Sequence, residues 1–546
     1  MPASDEIFGK PSSVGAKTAD SRPELVAENG DPHAVLYFAP AATALHITSW
    51  PGWSRALRTS RMHVSQVISR FRTTPWVFLI LVFVLSLPAV TVRFYAADEI
   101  EYFAYLRSMW FDGDLSFDNE YRHFYYERGV AQGRRPRAGG SGHYGDRFRE
   151  TFLEGRTATG LRINFAPVGT AILWAPFYLM TDAGVRIARS LGSDVAVDGY
   201  SWPYIAAVTF ASALYGFLAL LLSVSVARHI IESPAGQLDG RSAAATFAVW
   251  IGTPLLFYMY LAPGFSHAAS AFAVAAFVAL WVHVRRDWSW PGICALGAMA
   301  AIMGMVREQD LFIAIGPAID YVSALVRAAR SRDRPIGPMI ARGAAGIGVA
   351  MICFLPQILT YVALYGRPAP SPTVEGKMTW TSPHAWQVLA SPDNGLLFWT
   401  PLAFAALAGL VWLAGRTWVG FLCLIMVMTQ LYVSGSLDTW AGAGSFGQRR
   451  LVGLTIFFVI GLAALLTAVR HRWSRFAVNA FVMLAVWWNL GLTAQFGSGL
   501  MDRQHLDPAR NAYDNFVTIP RRLPDLVYRF VLDRESFYQS RVPSAP

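Results

Sequence analysis

A run of about twenty apolar residues can cross a ~30 Å hydrocarbon layer as one helix, and many such runs in one chain leave few other folds open. This sequence carries them at 76–94, 203–226, 243–262, 266–284, 291–306, 308–327, 343–364, 396–414, 418–434, 451–469 and 476–494. A bilayer core offers no water to unpaired backbone groups, so each run is expected to close its own hydrogen bonds as a helix. The sequence therefore predicts an all-α polytopic membrane protein with about eleven transmembrane helices. Composition agrees: 54% of the 546 residues are hydrophobic and only 15% are charged, against about 25% charged in soluble chains.

The net charge is +10 and the isoelectric point about 9.6. On a soluble chain that would raise nucleic acid as a partner. Here arginines cluster at the ends of apolar runs, so membrane lipids are the expected partner and nucleic acid is not. Arg55, Arg58, Arg61, Arg70 and Arg72 precede the first run, which begins too late for a cleaved signal peptide. That run is expected to be an uncleaved anchor entering from the cytoplasm. Residues 1–74, polar and aperiodic, would be a disordered cytoplasmic tail. Residues 75–494 form the membrane domain, in which 95–164 is a first external loop with surface helices and a flexible RRPRAGGSG stretch. Residues 495–546 would be a polar extracytoplasmic tail. Cys294, Cys353 and Cys423 all fall in apolar runs and are expected to pack as small apolar residues.

One further segment, 165–181, is apolar but short, and Pro167, Gly169 and Pro176 interrupt it. If it does not span, the loops at 227–242, 285–290, 328–342, 415–417 and 470–475 are cytoplasmic and hold 12 arginines, against 7 Arg or Lys in the opposing short loops. If it spans, that bias inverts. The expectation is a juxtamembrane or re-entrant helix in the outer leaflet.

Three groups of residues could carry chemistry. Asp98, Glu99 and Glu101 stand where the first helix leaves the membrane, a costly place for carboxylates. Tyr102, Leu106 and Met109 then share a face at helical spacing, as on an amphipathic surface helix. The ordinary structural reading is an N-cap at Asp98 and a favourable helix dipole for the two glutamates. Second, Arg307 in VREQD and Arg449 and Arg450 in SFGQRR sit at outer ends of spans. They could clamp a phosphate through the guanidinium fork, or pair with acids such as Glu308 and Asp310. Third, external loops place Lys377, Trp380 and His384 in one stretch and Asp438 and Trp440 in another, with His267 at an outer turn. No Walker A loop, HExxH, Cys/His zinc spacing or GxSxG occurs, so ATP-driven transport and those hydrolytic chemistries are not expected.

A first helix ending in Asp98-Glu99, a long external loop, and an NFAPVG segment running into LWAPFYL resemble the GT-C superfamily of membrane glycosyltransferases. The resemblance is to its protein O-mannosyltransferases, lipid A aminoarabinose transferases and galacturonosyltransferase-like proteins. It implies transfer of a sugar from a polyprenyl-phosphate donor to a lipid, glycan or protein acceptor, on the periplasmic side of a bacterial inner membrane. Asp98 would take the acceptor proton, with Glu99 orienting the acceptor or helping to bind a metal. Arg307, Arg449 and Arg450 would hold the donor phosphate. Aminoarabinose transferase-like members open the segment matching 164–167 with Lys-Pro-Pro; that lysine is absent here and Arg162 is the nearest cation. Glu101, Tyr102, Asn164, His267, Glu308, Lys377, Asp438 and Trp440 are substrate-binding candidates. No cofactor is certain, and a divalent cation, Mg or Mn, stays open. Two alternatives remain: a transporter or flippase of lipid-linked sugars, which should show paired broken helices in two halves, and an O-antigen ligase-like enzyme, which should rely on a large late external loop.

Overall fold

The structure is a computed structural model that describes residues 75–94, 96–127, 154–231, 237–331, 336–380, 384–442 and 444–534. The expected tail at 1–74 and the RRPRAGGSG stretch lie outside the described residues. All eleven apolar runs contain helix, and among the described residues there is no β-strand, only isolated bridges between Arg156 and Arg162 and between Met378 and Leu437. We number the main helices α1 (Pro75–Ser86), α2 (Ala97–Arg107), α3 (Gly169–Ser190), α4 (Trp202–Ile230), α5 (Gln237–Gly252), α6 (His267–Val284) and α7 (Trp290–Val306). There follow α8 (Glu308–Ser331), α9 (Ile336–Tyr365), α10 (Leu402–Ala414), α11 (Trp418–Gly435), α12 (Arg449–Ala468), α13 (Arg472–Ser498) and α14 (Ile519–Leu532). Seven of these, α4, α6, α8, α9, α11, α12 and α13, are long and apolar enough to cross a membrane. The segment Trp76–Ala89, α7 and α10 are shorter apolar helices.

The run at 243–262 departs from expectation. It breaks after Gly252 and resumes as Leu255–Tyr260. Pro254 lacks an N–H and cannot continue the ladder, while Asn489 of α13 donates to the freed carbonyls of Ile251 and Thr253 at 3.0 and 3.2 Å.

Small residues bring backbones together, as expected where lipid gives apolar side chains no drive to associate. A Cβ added to Gly409 of α10 would overlap the carbonyl of Gly461 in α12, and one on Gly461 would overlap that of Ala406. Gly297 of α7 meets the carbonyl of Gly346 in α9 in the same way. At one end of the bundle, buried Asp320 of α8 accepts from Arg285 Nε at 2.7 Å and from the indoles of Trp281 and Trp418 at 3.2 and 2.9 Å. That single carboxylate ties α6, α8 and α11.

The other end carries the irregular segments. Here α2 is not the surface helix that its spacing predicts: Tyr102, Phe103, Ala104, Tyr105 and Leu106 are all buried. The reason is a second apolar cluster, in which Phe117, Tyr121 and Phe124 cover α2 from one side and Trp174 and Tyr178 of α3 from another. Helix α3 starts against Met305 and Val306 at the end of α7. Its Asp182 accepts from Tyr204, near the start of α4, at 2.7 Å. Trp174 donates to Ser212 at 2.9 Å and Tyr215 to the Leu173 carbonyl at 2.7 Å, so α3 runs alongside α4 in the opposite direction.

Candidate functional site

The first helix stops at Ser86, Leu87–Ala89 form one tight turn, and the extended residues 90–94 lead into α2. The N-cap of α2 is Ala96, and Glu99 accepts the Ala96 N–H at 3.0 Å. With Glu99 serving the cap, Asp98 is free of backbone duty and turns to Arg449, whose Nη1 is 2.7 Å from its Oδ2. The first exit from the bundle and the start of α12 thus meet across 351 residues of chain.

Arg449 and Arg450 open α12 in a tight turn, Arg449–Leu454, and Arg307 stands just before the matching turn Glu308–Ala314 of α8. Two helix starts therefore point the positive ends of their dipoles the same way. Gln309 links them, donating to the Arg450 carbonyl at 2.7 Å, while Gln430 of α11 donates to the Gln309 carbonyl at 2.7 Å. Arg307 Nη1 is 2.9 Å from Nδ1 of His267. A guanidinium only donates, so His267 must accept there and carry its proton on Nε2. Arg450 Nη2 is spent on Thr439, at 3.0 Å to its hydroxyl.

The three arginines and Gln309 line one cavity of about 340 Å³, whose wall does not include His267. Asp98, Tyr102, Arg307, Glu308, Arg449 and Arg450 are all in its wall, with Phe165, Trp380 and Glu375. The Nε atoms of Arg307 and Arg450 and Nε2 of His267 are buried with no acceptor in the chain. Buried donors are nearly always paired, so two guanidinium N–H groups held open beside a third guanidinium describe a place for an anion.

Glu101, three residues after Asp98 on α2, is bonded to the segment that precedes α3. Its Oε1 accepts the Phe165 N–H at 2.8 Å, and Asn164 donates to its backbone carbonyl at 2.9 Å. Burial pushes its pKa up to about 8, helped by the negative charge of Asp98; the Phe165 N–H, Lys377 and Arg449 pull it back. At neutral pH its carboxyl holds its proton. The Lys377 ammonium lies 5.8 Å from the Phe165 ring centre, and its carbonyl accepts the Asp438 N–H at 2.9 Å.

Other candidates fall outside the cavity wall. Arg162 gives its Nε to Asp118 at 2.6 Å. Asp438 accepts from Thr379, and Trp440 stacks on His384 with ring centres 6.1 Å apart. Glu99 lines a second, aromatic cavity of about 170 Å³ with Phe257, Phe265, Phe446, Phe496 and Phe530. Sequence reasoning missed Gln309, which stands inside the VREQD stretch it singled out, and Ser266, whose hydroxyl joins Tyr102 at 2.8 Å. A polar residue beside a misplaced arginine was the available signal. Among the described residues no group of three or more His, Cys, Asp or Glu is placed to hold a metal.

No protein-family model matches the chain, and no curated protein matches it. Among solved structures it is similar to the crystal structure of ArnT from Cupriavidus metallidurans in the apo state, at 13% sequence identity and a TM-score of 0.44, covering 84% of this chain and 78% of that one.

Proposed function

We propose that this chain is a GT-C-type membrane glycosyltransferase that moves a sugar from a polyprenyl-phosphate donor to a hydroxyl of a lipid, glycan or protein acceptor, on the extracytoplasmic face. One observation carries the reading: three guanidinium groups and the carboxylates of Asp98, Glu308 and Glu375 line a single cavity at one end of an apolar bundle, with two guanidinium N–H groups still lacking acceptors.

In this reading the donor phosphate sits among Arg307, Arg449 and Arg450. The acceptor oxygen attacks the anomeric carbon and its proton passes to Asp98. The bond from that carbon to the phosphate oxygen breaks, and the electron pair leaves with the lipid phosphate, where the guanidiniums balance the added charge. Arg449 serves both partners. It pairs with Asp98 while the site is empty and shares its charge with the phosphate when the donor arrives. Trp380, Phe165 and Tyr102 offer ring faces to the sugar, and the prenyl chain lies between spans. Arg162, already held by Asp118, has no direct part.

The test is transfer of a labelled sugar from a polyprenyl-phosphate donor in membranes carrying Asp98→Asn. Loss of a general base costs about a hundredfold or more, so product should fall to that extent while protein level and melting behaviour stay near those of the parent. Undiminished transfer would remove Asp98 from the reaction.

A further inference from the structure

The segment after α13 is not the polar tail that composition predicts. Pro508–Tyr513 is helical, a looser turn follows, and α14 runs on to Leu532. Buried amides fasten its start to α13. Asn511 donates to Gln495 Oε1 at 2.7 Å, and Asn515 donates to the Trp488 carbonyl at 3.1 Å.

Three different sides run along α14. Ile519 and Leu526 are buried and Phe530 lines the aromatic cavity beside Glu99, which is the side against the protein. Leu523, Val527 and Val531 recur every four residues and so form one stripe; they are 42%, 53% and 55% exposed. Arg521, Asp525 and Arg529, again four apart, make a third stripe, with Arg522 beside it. A helix in water has no use for an exposed apolar stripe. A helix lying flat at a membrane surface needs all three: one side on the protein, one on acyl chains and one in water.

Its position fits. Arg534, just past α14, donates to the carbonyls of Pro88 and Val90 at 2.8 Å each. Those residues follow α1, a shorter apolar helix whose Phe78, Leu81 and Leu85 are exposed. The exposed stripe of α14 is therefore tethered at the level where the first helix gives out.

We propose that α14 is an in-plane helix seated in the lipid headgroup layer at this end of the bundle, with Leu523, Val527 and Val531 on acyl chains and Arg521 and Arg522 drawn to anionic lipid phosphates. Basic residues on the polar face of such a helix gain from an anionic surface.

The test uses the full chain with Cys294, Cys353 and Cys423 replaced by alanine, reconstituted in phosphatidylcholine vesicles with and without phosphatidylglycerol. A polarity-sensitive fluorophore is placed at Val527→Cys or at Arg522→Cys. The label at 527 should emit blue-shifted light and be quenched by brominated acyl chains several-fold more than the label at 522. Phosphatidylglycerol should deepen that quenching, and Arg521→Gln with Arg522→Gln should abolish the added effect. Water-like emission at both positions overturns the proposal. So does shielding at 527 that ignores brominated lipid and grows with protein density, which would assign the stripe to a second copy of this chain.

Discussion

Glu101 offers the most quantitative test of how this end of the bundle is built. In the unfolded chain its carboxyl titrates near the ordinary value of 4.5; in the fold, burial raises it to about 8. The folded state therefore holds the proton more tightly than the unfolded chain does. By linkage, the stabilisation this gives is fully present below pH 4.5 and is lost as pH rises toward 8. Each tenfold gain in proton affinity corresponds to about 1.4 kcal/mol, so the full swing approaches roughly 5 kcal/mol, of which roughly 3 kcal/mol has gone by pH 7. Glu101→Gln keeps the Oε1 acceptor for the Phe165 N–H and removes the titration. Melting of the purified protein in lipid nanodiscs, followed from pH 5 to pH 8, is the assay. The parent should lose stability across that window, and the variant should lose markedly less. Parallel pH profiles for the two proteins would show that Glu101 is ionised and solvated in the fold, and the idea of a dry Asn164–Phe165–Glu101 junction would fail.

Arg307→Ala should weaken binding of a polyprenyl-phosphate donor by at least tenfold, since a hydrogen bond to a charged group is worth about 1.5–3 kcal/mol; titration of the purified protein with donor reads it directly. Arg162→Ala, whose partner is Asp118 outside the cavity, should leave that affinity within about twofold, a difference of a few tenths of a kcal/mol. Asp320→Ala strips Arg285 and two indoles of their shared acceptor and should cost about 3 kcal/mol, seen as a lower melting temperature with the donor affinity retained. Gly461→Ala forces a methyl group into the Ala406 carbonyl and should cost about 1–3 kcal/mol by overpacking, measured in the same way.

The membrane helices were legible because hydrophobic length is a property of single segments. Every apolar run contains helix; 243–262 and 396–414 each break at a proline that the sequence displays, Pro254 and Pro401, and the first run ends in extended residues 90–94. The packing of α2 was not legible. Its apolar spacing fits a surface helix, yet Phe117, Tyr121 and Trp174, distant in the chain, bury it from several sides, and no local pattern reports a neighbour that arrives from elsewhere. At the site, Asp98 and Arg449 could each be picked out as charges at a membrane boundary. Their contact across the fold could not, because it depends on where α12 begins relative to α2. In the tail past 495, composition alone does not show that Leu523, Val527 and Val531 recur every four residues as one exposed stripe.

The glycine seam between α10 and α12 also limits how the molecule can change shape. Two helices meshed carbonyl to α-carbon cannot ratchet past each other by a turn without first coming apart, because no flexible side chains stand between them to be rearranged. That pair, with the Asp320 clamp at the far end, acts as a stator. Adjustment to an incoming ligand then falls on the parts that roof the cavity without such meshing, above all the stretch from Gly366, where the backbone has a positive φ of 72°, through Glu375 to Trp380. The rigid half would keep the charges in place, and the other half would set what size of ligand fits beneath them.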